Sequence, residues 1–355
     1  MLSRSFVLLV ALSTALGATL NRRVTCPTGQ TTANAACCAL FPVLEDIQNN
    51  MFAGDTCSDA AHTALRVAFH DAIGFSTTQK SFGTGADGSI FIFATTELGY
   101  DANLGIADAF NLEAPFIQKH NISVADFIQF AATVSLTKCP GILQPPFMFG
   151  RKDATAAAPE GTVPEPFQSV DTILSRMADA GFTPAEVVAL LASHSIAGAD
   201  DVDPSASGLP FDSTPSRFDT QFFVETQLRG TLFPGGSGGN QGEVESPIAG
   251  EIRLESDSNL ARDPATACLW QANVNNQAHM AQSFQAAFAK MSNLGQTGLV
   301  DCSDVIPAPP PLSAAAAQSF FPPGLSQSDV EQACSSTTFP DLPTTPGAAA
   351  ALPQM

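Results

Sequence analysis

Two of the five histidines sit in company that could do chemistry. His70 closes the segment Arg66-Val67-Ala68-Phe69-His70-Asp71, with Arg66 four residues ahead of it. On a helix that spacing puts a guanidinium and an imidazole on one face, pointing into one space. Leu65, Val67, Ala68 and Phe69 surround the pair, so the segment reads as mostly buried, and a buried Arg requires a partner or a ligand. His194 lies in Leu190-Leu191-Ala192-Ser193-His194-Ser195-Ile196-Ala197-Gly198, also deep in an apolar stretch. Neither histidine has a Cys or Glu at zinc-ligand spacing. A single His ligand on one side, with an Arg/His pair on the other, suits a haem iron with one open position.

Helices must carry these groups. Apolar residues recur at spacings of three and four over Gln48–Phe52, Asp59–Ile73, Val124–Leu136, Val170–Ala180, Pro184–Ala197, Phe218–Leu228 and Asn275–Leu294. Thr183-Pro184-Ala185-Glu186 is a helix start with a hydroxyl N-cap, Pro at N1 and Glu at N3. Strand-like alternation is scarce, so the fold class is mainly α. Long Gly/Pro loops, such as 83–88, 140–166 and 234–242, separate the helices, and loops of that length need pinning by disulfides or ions.

Composition narrows the function further. The chain has 355 residues, with 15 Lys+Arg against 34 Asp+Glu, a net charge of −19 and no basic cluster. Nucleic-acid binding is excluded on that ground. Phe occurs 26 times but Trp and Tyr once each, which leaves few oxidisable aromatics. Residues 1–23 read as a leader: Arg4, an apolar run Phe6–Leu12, small residues Ala15–Ala18 and the dibasic Arg22-Arg23. The protein is therefore expected to be secreted, with no membrane span. All eight cysteines (26, 37, 38, 57, 139, 268, 302 and 334) follow the leader, and their even number predicts four disulfides of undetermined pairing. Asn121-Ile122-Ser123 is a glycosylation sequon.

These segments together resemble the secreted fungal class II haem peroxidases, the lignin, manganese, versatile and generic types. The resemblance spans Val24 to Pro346. It rests on Arg66-x-x-Phe69-His70-Asp71, Gly85-Ala86-Asp87-Gly88-Ser89, Ser193-His194-Ser195, Leu209–Pro215, Gln241–Pro247 and Asp301–Pro307. It implies a two-domain helical fold with haem b between the domains: a distal domain over 24–165, a proximal domain over 166–310 and an extension over 311–355.

The resemblance also implies roles. His70 takes a proton from hydrogen peroxide and returns it to the leaving oxygen, while Arg66 counters the charge that develops as the O–O bond breaks. Asn103 accepts the His70 ring N–H, Glu97 orients Asn103, and Phe69 packs on the distal haem face. His194 is the iron ligand, with Asp257 accepting its second N–H and Phe211 beside it. Two Ca²⁺ sites are implied, one from Asp71, Gly85, Asp87 and Ser89, the other from Ser195, Asp212, Thr214, the Arg217 backbone and Asp219. The implied disulfides are Cys26–Cys38, Cys37–Cys302, Cys57–Cys139 and Cys268–Cys334.

Subtype turns on where electrons enter. High-potential types carry a surface Trp five residues before the proximal His; here that position is Ala189, and the sole Trp, Trp270, reads as structural. Tyr100 lies three residues before Asn103, near the expected haem edge, where a packing role is the competing assignment. Manganese types hold Mn²⁺ with three carboxylates, whose positions here are Asp59, Thr63 and Asp200. The expectation is a monomeric peroxidase that oxidises phenols and dyes at the haem edge. The alternatives are an atypical manganese peroxidase using Asp59 and Asp200, with Mn²⁺ as substrate, and a secreted haem-binding protein without turnover.

Overall fold

The distal helix predicted from the Arg/His spacing is present as α2 below, and the rest of the chain is organised to hold it. In the computed structural model, residues 23–54, 56–79, 83–236 and 238–355 are described. The leader assigned to residues 1–23 lies outside the described residues, apart from Arg23.

In chain order the helices are α1 (Leu40–Asp46), α2 (Asp59–Ala72), α3 (Ser89–Ile92), α4 (Ala94–Glu97), α5 (Ile106–Lys119) and α6 (Val124–Leu136). Then come α7 (Val170–Asp179), α8 (Pro184–Leu191), α9 (Gln221–Glu225), α10 (Glu255–Arg262), α11 (Ala267–Gln271) and α12 (Gln277–Met291). The strands among the described residues are two residues each and form four antiparallel pairs, such as Gly198–Ala199 with Leu209–Pro210. The chain is mainly helical.

α6 is the central helix. Every residue from Ala125 to Leu136 is buried, and Ser123 Oγ caps it by accepting the Asp126 N–H at 3.0 Å. α2 packs across α6 and α5. It buries Ala61, Ala64, Leu65, Val67, Ala68 and Ala72, and Asp59 in its first turn suits the helix dipole. α8 starts with the reciprocal cap read from sequence: Thr183 Oγ1 accepts the Glu186 N–H at 3.3 Å, and Glu186 Oε2 accepts the Thr183 N–H at 2.8 Å. It does not run to Ala197 as one α-helix. From Ala192 to Ile196 it tightens to a 3₁₀ turn, and there the Ser193 hydroxyl donates back to the Leu190 carbonyl at 2.8 Å.

The largest element the periodicity missed is α5. Pro115 lies inside it without ending it, although Pro inside a helix normally argues for a break. The segment near Gln48 is the irregular end of α1, a π-helical turn over Ile47–Met51.

Four disulfides join Cys26–Cys38, Cys37–Cys302, Cys57–Cys139 and Cys268–Cys334, the pairs implied by the resemblance. Buried apolar residues from both sides of position 165, including Val67 and Ile128 with Phe222 and Trp270, form one continuous cluster. Arg151 rivets the two halves: its Nη1 pairs with Asp126 Oδ1 at 2.9 Å, and its Nε donates to the Ser292 carbonyl at 2.9 Å. Among the described residues no helix is long and apolar enough to cross a membrane.

Candidate active site

α2 and the turn after α8 face each other across a cavity of about 890 Å³, lined by Arg66, Phe69 and His70 on one side and His194 and Phe211 on the other. On the α2 side, His70 Nδ1 and Asn103 Oδ1 are 2.8 Å apart, and Asn103 Nδ2 donates to the Glu97 backbone carbonyl at 2.9 Å. That second bond fixes the amide, so Oδ1 must accept and Nδ1 must carry the ring proton. The Nε2 lone pair is left for the cavity. Burial, then the Arg66 charge, lower the His70 pKa to about 3, against the pull of the Asn103 bond. The ring is therefore neutral, as a proton acceptor must be.

Glu97 holds Asn103 through its main chain only. Its carboxylate Oε1 instead accepts the Ala158 N–H at 2.9 Å, and burial raises its pKa to about 7. Arg66 Nη2 donates to the Leu104 carbonyl at 2.7 Å, which aims the guanidinium along the cavity wall. Phe69 meets His70 edge-on, with ring centroids 5.9 Å apart.

On the opposite side, His194 Nδ1 lies 2.9 Å from Asp257 Oδ2, and the Asp257 carboxylate is buried. A carboxylate at that atom makes Nδ1 the donor and turns the Nε2 lone pair outward. Phe211 lies 4.9 Å from the ring and Phe222 contacts it edge-on at 5.5 Å. Phe222 is a neighbour the sequence reading missed. The two histidines, each bonded through Nδ1, thus turn to one cavity, a donor set that fits a haem iron.

Each histidine adjoins a knot of buried oxygens. Beside His70, Asp71 Oδ2 accepts the Gly88 N–H at 3.0 Å, while Asp71 Oδ1 and Ser89 Oγ are buried without partners. Burial, then the neighbouring Asp87 carboxylate, push Asp71 well above the ordinary carboxylate range. Asp87 accepts from the Ser89 N–H at 3.0 Å and from Thr84. Gly85 has φ +91°, and a Cβ there would lie 2.4 Å from the Leu294 carbonyl. Beside His194, Ser195 Oγ donates to the Arg217 carbonyl at 3.1 Å, and Thr214 Oγ1 donates to Asp219 Oδ1 at 2.9 Å. Asp212 Oδ2 is buried without a partner, and burial, then Asp219, raise the Asp212 pKa strongly. Crowded buried oxygens with unsatisfied lone pairs are the chemistry of a hard-cation site.

At the cavity mouth Asp59, Thr63 and Asp200 line the same opening, and Asp108 and Asp201 join them. Burial, then Asp200 and Asp108, raise the Asp59 pKa. No local pattern in the sequence marks Asp108, because its helix, α5, carries Pro115 in its interior. Among the described residues the His/Cys/acid group whose ligand atoms close to 4.8 Å is Cys57, His62 and Cys139, and both sulfurs there are spent in the disulfide. Tyr100 is not among the cavity-lining residues; its hydroxyl donates to the Ala158 carbonyl at 3.0 Å. Trp270 is fully buried against Phe222 and Phe223, and Ala189 is buried as well. Asn121 is exposed, just before the cap of α6.

Comparison with known proteins gives matching relatives. The Peroxidase family profile matches residues 43–276, and the fungal peroxidase extension region matches 279–355. The chain is 55% identical to versatile peroxidase VPS1 of Pleurotus eryngii, over 98% of this chain and 97% of that one. It is 56% identical to manganese peroxidase 3 of Phlebia radiata, over 96% and 95%. Ligninase LG2 of Phanerodontia chrysosporium is 52% identical, over 92% and 90%.

Proposed function

The chain belongs to the peroxidase family and is a hydrogen-peroxide-dependent haem oxidoreductase, and from that premise we propose that it acts outside the cell as a monomer. Its reductants are phenolic and lignin-derived aromatics and dyes, which each give up one electron at the haem edge. The observation that carries this reading is the pair of opposed histidines, each fixed through Nδ1 by Asn103 or Asp257, with Arg66 over the space between.

When bound, the haem supplies the redox chemistry, giving two electrons to hydrogen peroxide and recovering them singly from two reductant molecules. His194 Nε2 would hold the iron, and Asp257, accepting the Nδ1 proton, would make that imidazole a stronger electron donor. His70 Nε2 takes the proton from one peroxide oxygen and delivers it to the other, which leaves as water. Arg66 offsets the negative charge on the departing oxygen. Asn103, held by the Glu97 carbonyl, keeps the His70 proton on Nδ1 throughout. Phe69 would pack on the distal side of the haem, and Phe211 stands beside the His194 ring.

The two oxygen knots are Ca²⁺ sites in this reading: Asp71, Gly85, Asp87 and Ser89 on one side, and Ser195, Asp212, Thr214, the Arg217 carbonyl and Asp219 on the other. Their unpartnered oxygens, Asp71 Oδ1, Ser89 Oγ and Asp212 Oδ2, support it. Asn121 is the glycosylation site. A second reading, oxidation of Mn²⁺ at Asp59 and Asp200, is favoured by Asp59, Asp200 and Asp108 lining one cavity, where Asp200 and Asp108 add to burial in raising the Asp59 pKa. The hydroxyl at Thr63 argues for the phenol reading, since Mn²⁺ prefers carboxylate oxygen. Mixing the holoenzyme with peroxide, then with a phenol, Mn²⁺ or veratryl alcohol, tests both. A peroxide-induced Soret change reversed fastest by the phenol is expected. No spectral change would leave only haem storage.

A further inference from the structure

We propose that Asp201 is a positioning residue for Arg66: its carboxylate, brought across the cavity mouth from the proximal half, draws the guanidinium outward and tempers the charge that Arg66 offers to the reaction. The inference deepens the peroxidase reading and rests on it, because it concerns the group that offsets charge in the peroxide step.

Arg66 and Asp201 lie more than 130 residues apart in the chain and meet at one glycine. A Cβ at Gly105 would lie 2.5 Å from Asp201 Oδ2 and 3.0 Å from Arg66 Nη1. Gly105 has φ +77°, a left-handed backbone that favours glycine, and its bare Cα leaves room for both groups. The neighbouring Leu104 carbonyl accepts from Arg66 Nη2 at 2.7 Å. Both terminal nitrogens of the guanidinium therefore lie at the turn 104–105, at the entrance to α5. Asp201 reaches the same turn from the loop between the paired strands Gly198–Ala199 and Leu209–Pro210, a few residues after His194. It is exposed, and it lines the cavity together with Arg66. Burial lowers the Arg66 pKa, and among the carboxylates that oppose this shift Asp201 acts most strongly, ahead of Asp200 and Asp108.

Offsetting charge on a departing oxygen requires the guanidinium to turn from this seat towards the space beside His70. An anion at the mouth stabilises the outward seat more than the inward one, and so shifts the balance outward. Neutralising that anion releases Arg66 to bond a small anion at the open iron position.

Fluoride is the probe, because it binds resting ferric haem without turnover and accepts hydrogen bonds from an inward guanidinium. Holoenzyme of the parent, Asp201→Asn, Asp201→Glu and Glu165→Gln is titrated with sodium fluoride at fixed pH and ionic strength, read by haem absorbance. Glu165 also lines the cavity, so Glu165→Gln removes one negative charge from the same lining. The fluoride Kd is expected to fall about fivefold or more in Asp201→Asn and to stay within about twofold of the parent in the other two variants. Unchanged or weaker fluoride binding in Asp201→Asn, or equal tightening in Asp201→Glu or Glu165→Gln, would overturn the assignment. A parent that binds fluoride yet gives no spectral change with peroxide would instead overturn the peroxidase reading.

Discussion

At the scale of single residues, the decisive feature is the proton on His70. Because Asn103 Oδ1 accepts from Nδ1, and burial with the Arg66 charge lowers the ring to about 3, Nε2 stays basic through the acidic range. His70→Ala is expected to retain haem yet slow the peroxide step by roughly 10²–10⁴, as for loss of a general acid–base group. In the parent the same rate constant should be flat from neutrality to about pH 4 and fall as pH approaches the His70 value, since protonation removes the acceptor. A near-normal stopped-flow rate in the variant would remove His70 from this role. At the mouth, Thr63 is the neutral member between Asp59 and Arg66 on one helix face. Thr63→Glu is expected to lower the apparent KM for Mn²⁺ about tenfold, equivalent to ~1.4 kcal/mol, and Asp200→Ala in that background should reverse the gain. Steady-state kinetics with Mn²⁺ beside a phenol check both outcomes.

At the scale of elements, α2 and the turn carrying His194 are each tied to an oxygen knot by the very next residue, Asp71 or Ser195. Chelating Ca²⁺ should loosen both and let a distal group reach the iron, read as a shift of the Soret band towards low-spin, six-coordinate haem. Unchanged spectrum and activity after verified calcium removal would discard both sites. α5 carries a different device. Glu113 is fully buried, both its carboxylate oxygens lack a hydrogen bond, and burial with the Asp71 charge raises its pKa well above 4.5. The folded state therefore keeps a proton that the unfolded chain releases above about 4.5, so stability falls as pH rises through that value. Glu113→Gln should match the parent in thermal unfolding near pH 4 and exceed its Tm at neutral pH. Equal Tm values at both pH values would mean that Glu113 is ionised and partnered in the folded protein.

At the scale of the whole molecule, long-range ties compensate for short strands and long loops. Cys37–Cys302 closes a separation of 265 residues and joins the segment before α1 to the turn over Ser303–Val305. The chain-entropy argument makes long closures the most stabilising. The Cys37→Ser/Cys302→Ser double variant is expected to lose roughly 2–5 kcal/mol of stability, measured by denaturant unfolding of the holoenzyme. A loss below about 1 kcal/mol would mean that the smaller apolar cluster around Leu40, Phe130 and Phe147 fastens these ends alone.

Local pattern was enough to determine the helical class, the span of α2, the cap of α8, and the Arg66/His70 and His194 positions, because i,i+4 spacing and capping act within a few residues. Matching of motifs extended this to Asn103, Asp257 and the two oxygen knots. The tertiary structure decided what depends on approach between distant segments. It showed that Glu97 reaches Asn103 through its carbonyl and spends its carboxylate on Ala158, and that α5 persists through Pro115 and brings Asp108 beside Asp59. It placed Tyr100 away from the cavity and the last residues of the chain against Gly198 and Gly208. These features were illegible because backbone acceptors carry no side-chain signature, and contacts across more than a hundred residues leave no period in the sequence.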